Sequence, residues 1–357
     1  MKNIYKTITK TILGSLLLGF MAVAPANAQF GDIGAFLKAG AADAEILTRE
    51  YIRPLPTGFG TGLNAGFTEG AGAKKTLGFS LQVRSSVAFA PTSAQRFDVA
   101  ELNLSNIVPA DPSNTVTPTL VGKNSSGPLM EIQDDDGNRL STFNMPRGFS
   151  PLGFNIVPAP TIQANVGLIK STDITLRFMP EVKLGDFGRM NILGGAIKHG
   201  INQYIPGGKL LPVDLSIMVG FNKISLDADL DVQPATGAVP NDPTNPGDFS
   251  NQGVTTETNT FVLNAYVGKS LPFISVYGGL GYQKASLDIN VEGDYPVELP
   301  FNRYDVISDP FSFSLDSESS VHMLGGFRLR LGILAIYGEA TLANYFNANL
   351  GFGISFR

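Results

Sequence analysis

Residues 347–356 read NANLGFGISF: Ala348, Leu350, Phe352, Ile354 and Phe356 alternate without a break with Asn347, Asn349, Gly351, Gly353 and Ser355. Successive side chains on a strand point to opposite faces, so a period of two makes one face apolar and the other polar. The same period returns backwards along the chain. Val321, Met323, Phe327, Leu329 and Leu331 stand against His322, Arg328 and Arg330, and Phe261, Leu263, Ala265 and Val267 form a further apolar row. Ile174, Leu176, Phe178, Val182 and Leu184 oppose Thr175, Arg177, Glu181 and Lys183; Pro160, Ile162, Ala164, Val166 and Leu168 oppose Thr161, Gln163 and Asn165. Leu77, Phe79, Leu81, Val83, Val87 and Phe89 oppose Thr76, Gly78, Ser80, Gln82, Arg84 and Ser86.

A soluble β-sandwich also alternates. Here the apolar face continues over nearly every strand, and strands reach the ~9–11 residues that cross a bilayer. In lipid only a closed sheet leaves no unpaired backbone, so the expected fold is an all-β, transmembrane antiparallel β-barrel with its polar faces inward. The last strand resembles the C-terminal targeting strand of outer-membrane barrels, with Arg357 one place beyond the aromatic. That resemblance implies outer-membrane lipid and the barrel-assembly machinery as partners.

The composition agrees. Of 357 residues 43% are hydrophobic and 16% charged, against about 25% charged in soluble domains. Forty glycines and 24 phenylalanines accompany no tryptophan and no cysteine, which excludes disulfides, thiolate metal sites and a cysteine nucleophile. Lys2, Lys6 and Lys10 precede an apolar run from Ile12 to Ala24 and a small-residue Ala26-Asn27-Ala28, the pattern of a secretory signal over residues 1–28. Removing those three lysines leaves 23 basic against 31 acidic side chains, a formal charge of −8, which argues against nucleic acid as a partner.

Counting back from a periplasmic C-terminus, short links at Gly332, 269–272 and 169–172 and a longer one at 200–209 fall on one side. Long links at 292–318, 233–253 and 134–158 fall on the other, as membrane barrels prefer. With strands at 76–90 and 95–106 and one or three within 115–145, the total is 12 or 14. The long links carry much of the acidic surplus, including Glu292, Asp294, Glu298, Asp305, Asp309, Asp316 and Glu318. With no tryptophan, Tyr266, Tyr277, Tyr282, Tyr337 and Tyr345 are the candidates for an aromatic girdle.

Residues 215–232, LSIMVGFNKISLDADLDV, repeat as 274–291, ISVYGGLGYQKASLDINV. In both copies the apolar parity flips after the aromatic: Val219 and Phe221 are odd and Ile224 and Leu226 even; Leu280 and Tyr282 are even and Ala285 and Leu287 odd. Either a β-bulge lies at Asn222-Lys223 and Gln283-Lys284, or the upper halves of these strands project beyond the membrane.

Before the strands, Ile33, Phe36, Leu37, Ala44, Leu47 and Tyr51 recur at helical steps, and Pro54 and Pro56 read as the stop. A glycine-rich run from Gly58 to Gly72 follows. Residues 29–72 therefore read as an N-terminal plug or periplasmic segment, and 73–357 as the barrel.

The runs Tyr51-Ile52-Arg53-Pro54, Gly62-Leu63-Asn64-Ala65-Gly66-Phe67, Pro160-x-x-Gln163-x-x-Val166-Gly167-Leu168 and His199-Gly200-Ile201-x-Gln203-Tyr204-Ile205-Pro206 resemble a family of Bacteroidota outer-membrane proteins known as a domain of unknown function. A helical, glycine-rich segment before a barrel is also similar, remotely, to the outer-membrane long-chain fatty-acid transporters, where the leading segment forms a hatch. The characteristic Asn-Pro-Ala of that family is absent, and Asn64-Ala65-Gly66 is the nearest run. That likeness implies a small hydrophobic ligand.

Catalytic patterns are weak. His199 and His322 are the two histidines, too far apart in sequence for a two-histidine motif. His199 opens a short amphipathic turn, and neither has an identifiable nucleophile. No Gly-x-Ser-x-Gly elbow occurs, and Asp134-Asp135-Asp136-Gly137-Asn138 reads as an exposed turn before a calcium loop. The expectation is a non-enzyme without cofactor or metal. The polar-parity set Arg84, Arg177, Glu181, Lys183, His322, Arg328 and Arg330 should line the lumen, since charge facing lipid costs about 2–4 kcal/mol at mid-membrane for Arg or Lys. These residues either line a pore or grip a plug through Asp43, Glu45, Glu50 and Tyr51. The expected function is gated passage of a small solute; the rival is a non-conducting anchor whose acidic loops or periplasmic face bind a partner.

Overall fold

The computed structural model describes residues 34–150, 153–183, 188–318 and 320–356. The signal expected over residues 1–28 and the start of the plug, Ile33 included, lie outside them. The described strands close into an antiparallel barrel: β1 (Phe79–Phe89), β2 (Ile156–Leu168), β3 (Thr172–Lys183), β4 (Arg189–Gly200), β5 (Asp214–Asp229), β6 (Gly253–Ser270), β7 (Ile274–Glu292), β8 (Ser320–Leu331), β9 (Leu334–Leu342) and β10 (Phe346–Phe356). Each pairs with its sequence neighbours, and β1 closes on β10 with Phe79 opposite Phe356 and Phe89 opposite Phe346. Links at 169–171, 271–273 and 332–333 are short at one end, with a longer one at 201–213, and the long links at 90–155, 230–252 and 293–319 lie at the other, as expected, although 343–345 at that end is also short.

The barrel has ten strands, not 12 or 14. The stretch expected to add strands, 90–155, instead makes small sheets at the long-loop end: Arg96–Asp98 pairs with Val116–Pro118, and Leu129–Gln133 with Ile107–Pro109 and Arg139–Asn144. The reason is a surface that alternation does not reveal. Helix α1 (Ala41–Ile52) brings Leu47 and Tyr51 to the top of the bore, where Ile107, Met130, Ile132 and Met145 pack with them in one cluster. Covering that helix takes the apolar residues a membrane strand would have shown to lipid.

The parity flip in the repeat also has a different cause. Register runs unbroken through Asn222↔Thr260 and Lys223↔Asn259, and through Gln283↔Val262 and Lys284↔Phe261, so neither repeat carries a bulge. Phe221 and Leu280 face outward, each 57% exposed, while Ile224 and Leu287 face inward at 3% and 1%. The bore itself changes from polar to apolar at this height because helices fill it. On the outside, the charged pairs Lys223–Glu257 and Lys284–Asp316 begin here, marking the upper halves as beyond the apolar band.

A bulge does occur in β3, where pairing with β4 shifts between Met179 and Val182. It reverses the facing of the residues beyond it.

The outward face is apolar from Leu81, Leu176, Leu193, Leu263 and Leu350 round to Ile336. Its aromatic belt is phenylalanine: Phe89 meets Phe346 at 5.8 Å and Phe221 meets Phe261 at 5.1 Å between centroids. Of the tyrosines proposed for a girdle, Tyr282 faces out, whereas Tyr266, Tyr277, Tyr337 and Tyr345 are buried. A phenolic hydroxyl inside can meet the polar bore, and phenylalanine has no such group to satisfy in lipid.

Candidate functional site: a strap held through the bore

Residues 34–75 run down the barrel from the long-loop end to the short-turn end and turn there into β1. At the top, Lys38 pairs with Glu298 at 3.4 Å, and Arg49 donates to the Ser314 carbonyl at 3.2 Å. At the bottom, the Lys74 amide donates to Asp173 at 2.8 Å, and the Leu77 amide to the Gly167 carbonyl.

The prolines expected to stop the helix instead start a second one, α2 (Pro54–Asn64), with proline in its first turn. That position lacks an intrahelical acceptor in any case, so proline costs nothing there. The glycines of α2 allow close approach to the wall: a Cβ on Gly58 would meet Val157 at 2.4 Å, and one on Gly60 would meet Ala285 at 2.9 Å.

Below α2 the chain unwinds into a strap whose carbonyls the wall grips in sequence. Asn222 donates to Leu63 at 3.0 Å, Arg177 to Leu63 and to Ala65 (3.0 Å), and Gln163 to Gly66 at 3.1 Å. Asn165 donates to Phe67 at 3.1 Å and Arg84 to Thr68 at 2.9 Å. Lys198 donates to Gly70 at 2.7 Å and Gly72 at 3.0 Å. The Gly66 amide donates to Glu339 at 2.7 Å, whose other oxygen accepts from the Tyr277 hydroxyl at 2.9 Å. Gly66 lies in the left-handed region at φ +73°, and a Cβ there would meet the Asn349 side chain at 2.6 Å. Asn64 fixes the upper end through the Phe261 carbonyl (3.0 Å) and Thr260 (2.9 Å).

The two buried arginines are both capped by rings, Arg177 over Phe67 at 3.9 Å and Arg84 over Tyr337 at 4.6 Å. Amide groups complete their shells: Gln163 accepts from Arg177 (2.8 Å), and Gln82 and Asn349 accept from Arg84 (2.6 and 3.1 Å).

An ionic layer closes the bottom. Glu69 takes Lys74 at 2.9 Å and Arg328 at 3.2 Å on one oxygen, and Ser80 and Gln82 on the other. Burial pushes its carboxyl up, but Lys74, the Ser80 hydroxyl and Arg328 outweigh that and hold it at about 2. Lys198 pairs with Asp173 at 3.1 Å. Beside these groups a cavity of about 220 Å³ opens at the short-turn end, lined by Glu69, Lys74, Asp173, Lys198, Arg328 and Arg330 among others.

Of the expected lumen residues, Arg84, Arg177, His322, Arg328 and Arg330 face inward. Glu181 and Lys183 do not: the bulge after Met179 turns Val182 in and leaves both charged neighbours exposed. The expected ion pairs of the lumen arginines with Asp43, Glu45 and Glu50 are absent among the described residues; the plug acid that a lumen arginine does hold is Glu69, through Arg328. Asp43 instead accepts the amides of Ser105, Asn106 and Ile107, while Glu45 pairs with Arg49 and Glu50 with Arg53 in their own helix. Tyr51 donates to the Arg147 carbonyl at 2.7 Å in the cap. Carbonyls replace carboxylates as the partners of Arg84 and Arg177 because the extended strap offers a row of them at the right height.

Lys198, Asp173, Glu69 and Glu339 join the site without having been expected from the sequence. Asp173 shares its strand parity with Thr175 and Arg177, a signal that could have found it, whereas Glu69 lies in the glycine-rich run where no alternation marks a face. His199 bonds Thr172 (2.8 Å) and Tyr204 (3.0 Å) at the turn after β4, and His322 has an unpartnered Nδ1 in the wall. The 134–138 segment is a turn closed on Asp134, which accepts from the Asn138 amide at 2.7 Å. No group of three or more metal-ligating side chains occurs among the described residues.

A family model described as a family of unknown function, DUF6588, matches residues 1–356. The chain belongs to this family. No curated protein matches this DUF6588 member. Among solved structures it is similar to Ail, the attachment invasion locus protein of Yersinia pestis, at 9% identity and TM-score 0.25, over 79% of this chain and 100% of that one. It is similar to the Escherichia coli outer-membrane protease OmpT at 10% identity and TM-score 0.28, over 78% and 93%. A third likeness is to the Escherichia coli outer-membrane transporter YddB, at 11% identity and TM-score 0.28; it covers 76% of this chain and 39% of the transporter. At these scores the architecture of the DUF6588 chain rests on its own strand register.

Proposed function

We propose that the protein is an outer-membrane barrel shut by its own N-terminal segment, acting as an anchor that presents a folded cap at the cell surface and a charged face to the periplasm. One observation carries this reading: seven of the strap's carbonyls between Leu63 and Gly72 are bonded to the wall, and above them the plug shares a single apolar core with the cap. Charge-assisted hydrogen bonds contribute about 1.5–3 kcal/mol each, so withdrawing the whole plug is far beyond thermal reach. The apolar outer band takes lipid, and β10 is the strand offered to the barrel-assembly machinery. With His199 held by a threonine and a tyrosine, the reading is of a binding protein and not an enzyme.

Gated passage of a small solute is the second reading, favoured by the cavity and by the glycines at 66, 70 and 72, which let the strap move while α1 and α2 stay. The polar lower bore suits a water-soluble solute better than a hydrophobic one. Planar-bilayer conductance separates the two on the refolded mature protein and on a variant lacking residues 34–72. The anchor reading expects silence from the intact chain at all voltages and in the presence of candidate solutes. Discrete steps from the intact chain would overturn it in favour of the gate.

A further inference from the structure

The cavity at the short-turn end is unlike the rest of the molecule in charge. The full chain carries a formal −5, yet this cavity gathers Lys74, Lys75, Lys198, Arg328 and Arg330 against Glu69 and Asp173. Three of the cations are committed: Lys74 and Arg328 share Glu69, and Lys198 holds Asp173 and two strap carbonyls. Two are not. Arg330 spends only its Nε, on the Gly332 carbonyl at 3.0 Å, and the Lys75 ammonium bonds no described residue. Arg328 also keeps a buried Nε without an acceptor.

A rigid guanidinium and an ammonium with free donors at the mouth of a net-cationic cavity form a receptor for an oxyanion. The low-dielectric wall strengthens such contacts, and about 220 Å³ admits an anion the size of phosphate or pyrophosphate with its bridging water. Neutral solutes would leave the free donors unsatisfied. The cavity lies inside the barrel and opens to the aqueous end, so the ligand is a free solute and not a lipid headgroup.

We propose that this cavity is a binding site for a small polyvalent oxyanion of the phosphate class, with Arg330 and Lys75 as its uncommitted donors and Arg328 and Lys198 as its floor. The site does not require the barrel to conduct, so it stands or falls separately from the anchor and gate readings.

Isothermal titration of the refolded mature protein in neutral detergent at low salt, with inorganic phosphate and with pyrophosphate, tests it. Saturable binding is expected, tighter for pyrophosphate and weakened by added sodium chloride. The double variant Lys75→Gln with Arg330→Gln leaves every strap contact in place and should weaken binding by about tenfold or more, as for loss of charge-assisted hydrogen bonds. Lys170→Gln, in a turn at the same end but outside the cavity, should leave it unchanged. Absence of saturable binding in the millimolar range, equal weakening by Lys170→Gln, or equal affinity for sucrose would each overturn the proposal. Adding anionic lipid to the micelles distinguishes the sources: competition with pyrophosphate would make the ligand a headgroup and overturn the free-solute assignment.

Discussion

Arg177 lies with its guanidinium carbon 3.9 Å from the centroid of the Phe67 ring while it donates to the carbonyls of Leu63 and Ala65, so one wall residue holds three alternate positions of the plug by two kinds of contact. Asn222 and Gln163 reinforce the same stretch. The arginine is buried, and its removal takes the donor from the Ala65 carbonyl and one of two donors from the Leu63 carbonyl. Arg177→Ala should cost about 3–5 kcal/mol, the loss of two charge-assisted hydrogen bonds to the strap at about 1.5–3 kcal/mol each. A drop in heat-modified gel mobility temperature or in thermal midpoint checks this, and an unchanged midpoint would show that the strap holds without it.

Gly66 combines φ +73° with an Asn349 side chain where its Cβ would go. Gly66→Ala should destabilise by about 2 kcal/mol from backbone strain and crowding together. Asn349→Gly alone also removes an acceptor from Arg84 and so sets the baseline; on that background Gly66→Ala should still destabilise, because the backbone remains left-handed, and no further loss would assign the whole effect to Asn349.

Glu69 carries the acid sensitivity of the plug. Its carboxyl is held at about 2 against an ordinary 4.5, so the unfolded state binds the proton first. The stabilisation is therefore complete above about pH 4.5 and is lost as pH falls toward 2, in total about 3 kcal/mol at 1.36 kcal/mol per unit. Thermal midpoints measured from pH 6 to pH 2 should fall across that window. Glu69→Gln should lower the midpoint at pH 6 and flatten the slope; a parallel curve would place the acid sensitivity elsewhere.

The chain has no cysteine, so an introduced pair reports without background. A Cβ on Gly62 would lie 3.3 Å from the Ala159 Cβ, close to the ~3.5–4.5 Å a disulfide spans. Gly62→Cys with Ala159→Cys should oxidise readily and pin α2 to β2. In the bilayer the oxidised form should stay silent under any condition, and steps that persist after oxidation would mean that conduction bypasses α2.

The barrel, its closed antiparallel order and the inward placement of Arg84, Arg177 and Arg328 were legible in the alternation, because side-chain direction along a strand is a local property. The helical period from Phe36 to Tyr51 was legible for the same reason. What residues 90–155 would do was not. Their apolar residues have no periodicity that tells lipid from a helix beneath, and the choice falls only when α1 arrives at the top of the bore. The parity flip at Lys223 and Lys284 was visible in sequence, yet its meaning depended on what fills the barrel at that height.

Sequence alone determined that this chain closes a sheet with a greasy outside and a polar inside, since a period of two in lipid has no other stable outcome. Tertiary structure alone decided that the bore is shut. Carbonyls are identical at every residue, so no sequence pattern marks Leu63, Ala65, Gly66, Phe67 and Thr68 as the acceptors of Arg177, Gln163, Asn165 and Arg84. Only folding brings these residues, 16 to 114 positions apart, to one level of the barrel.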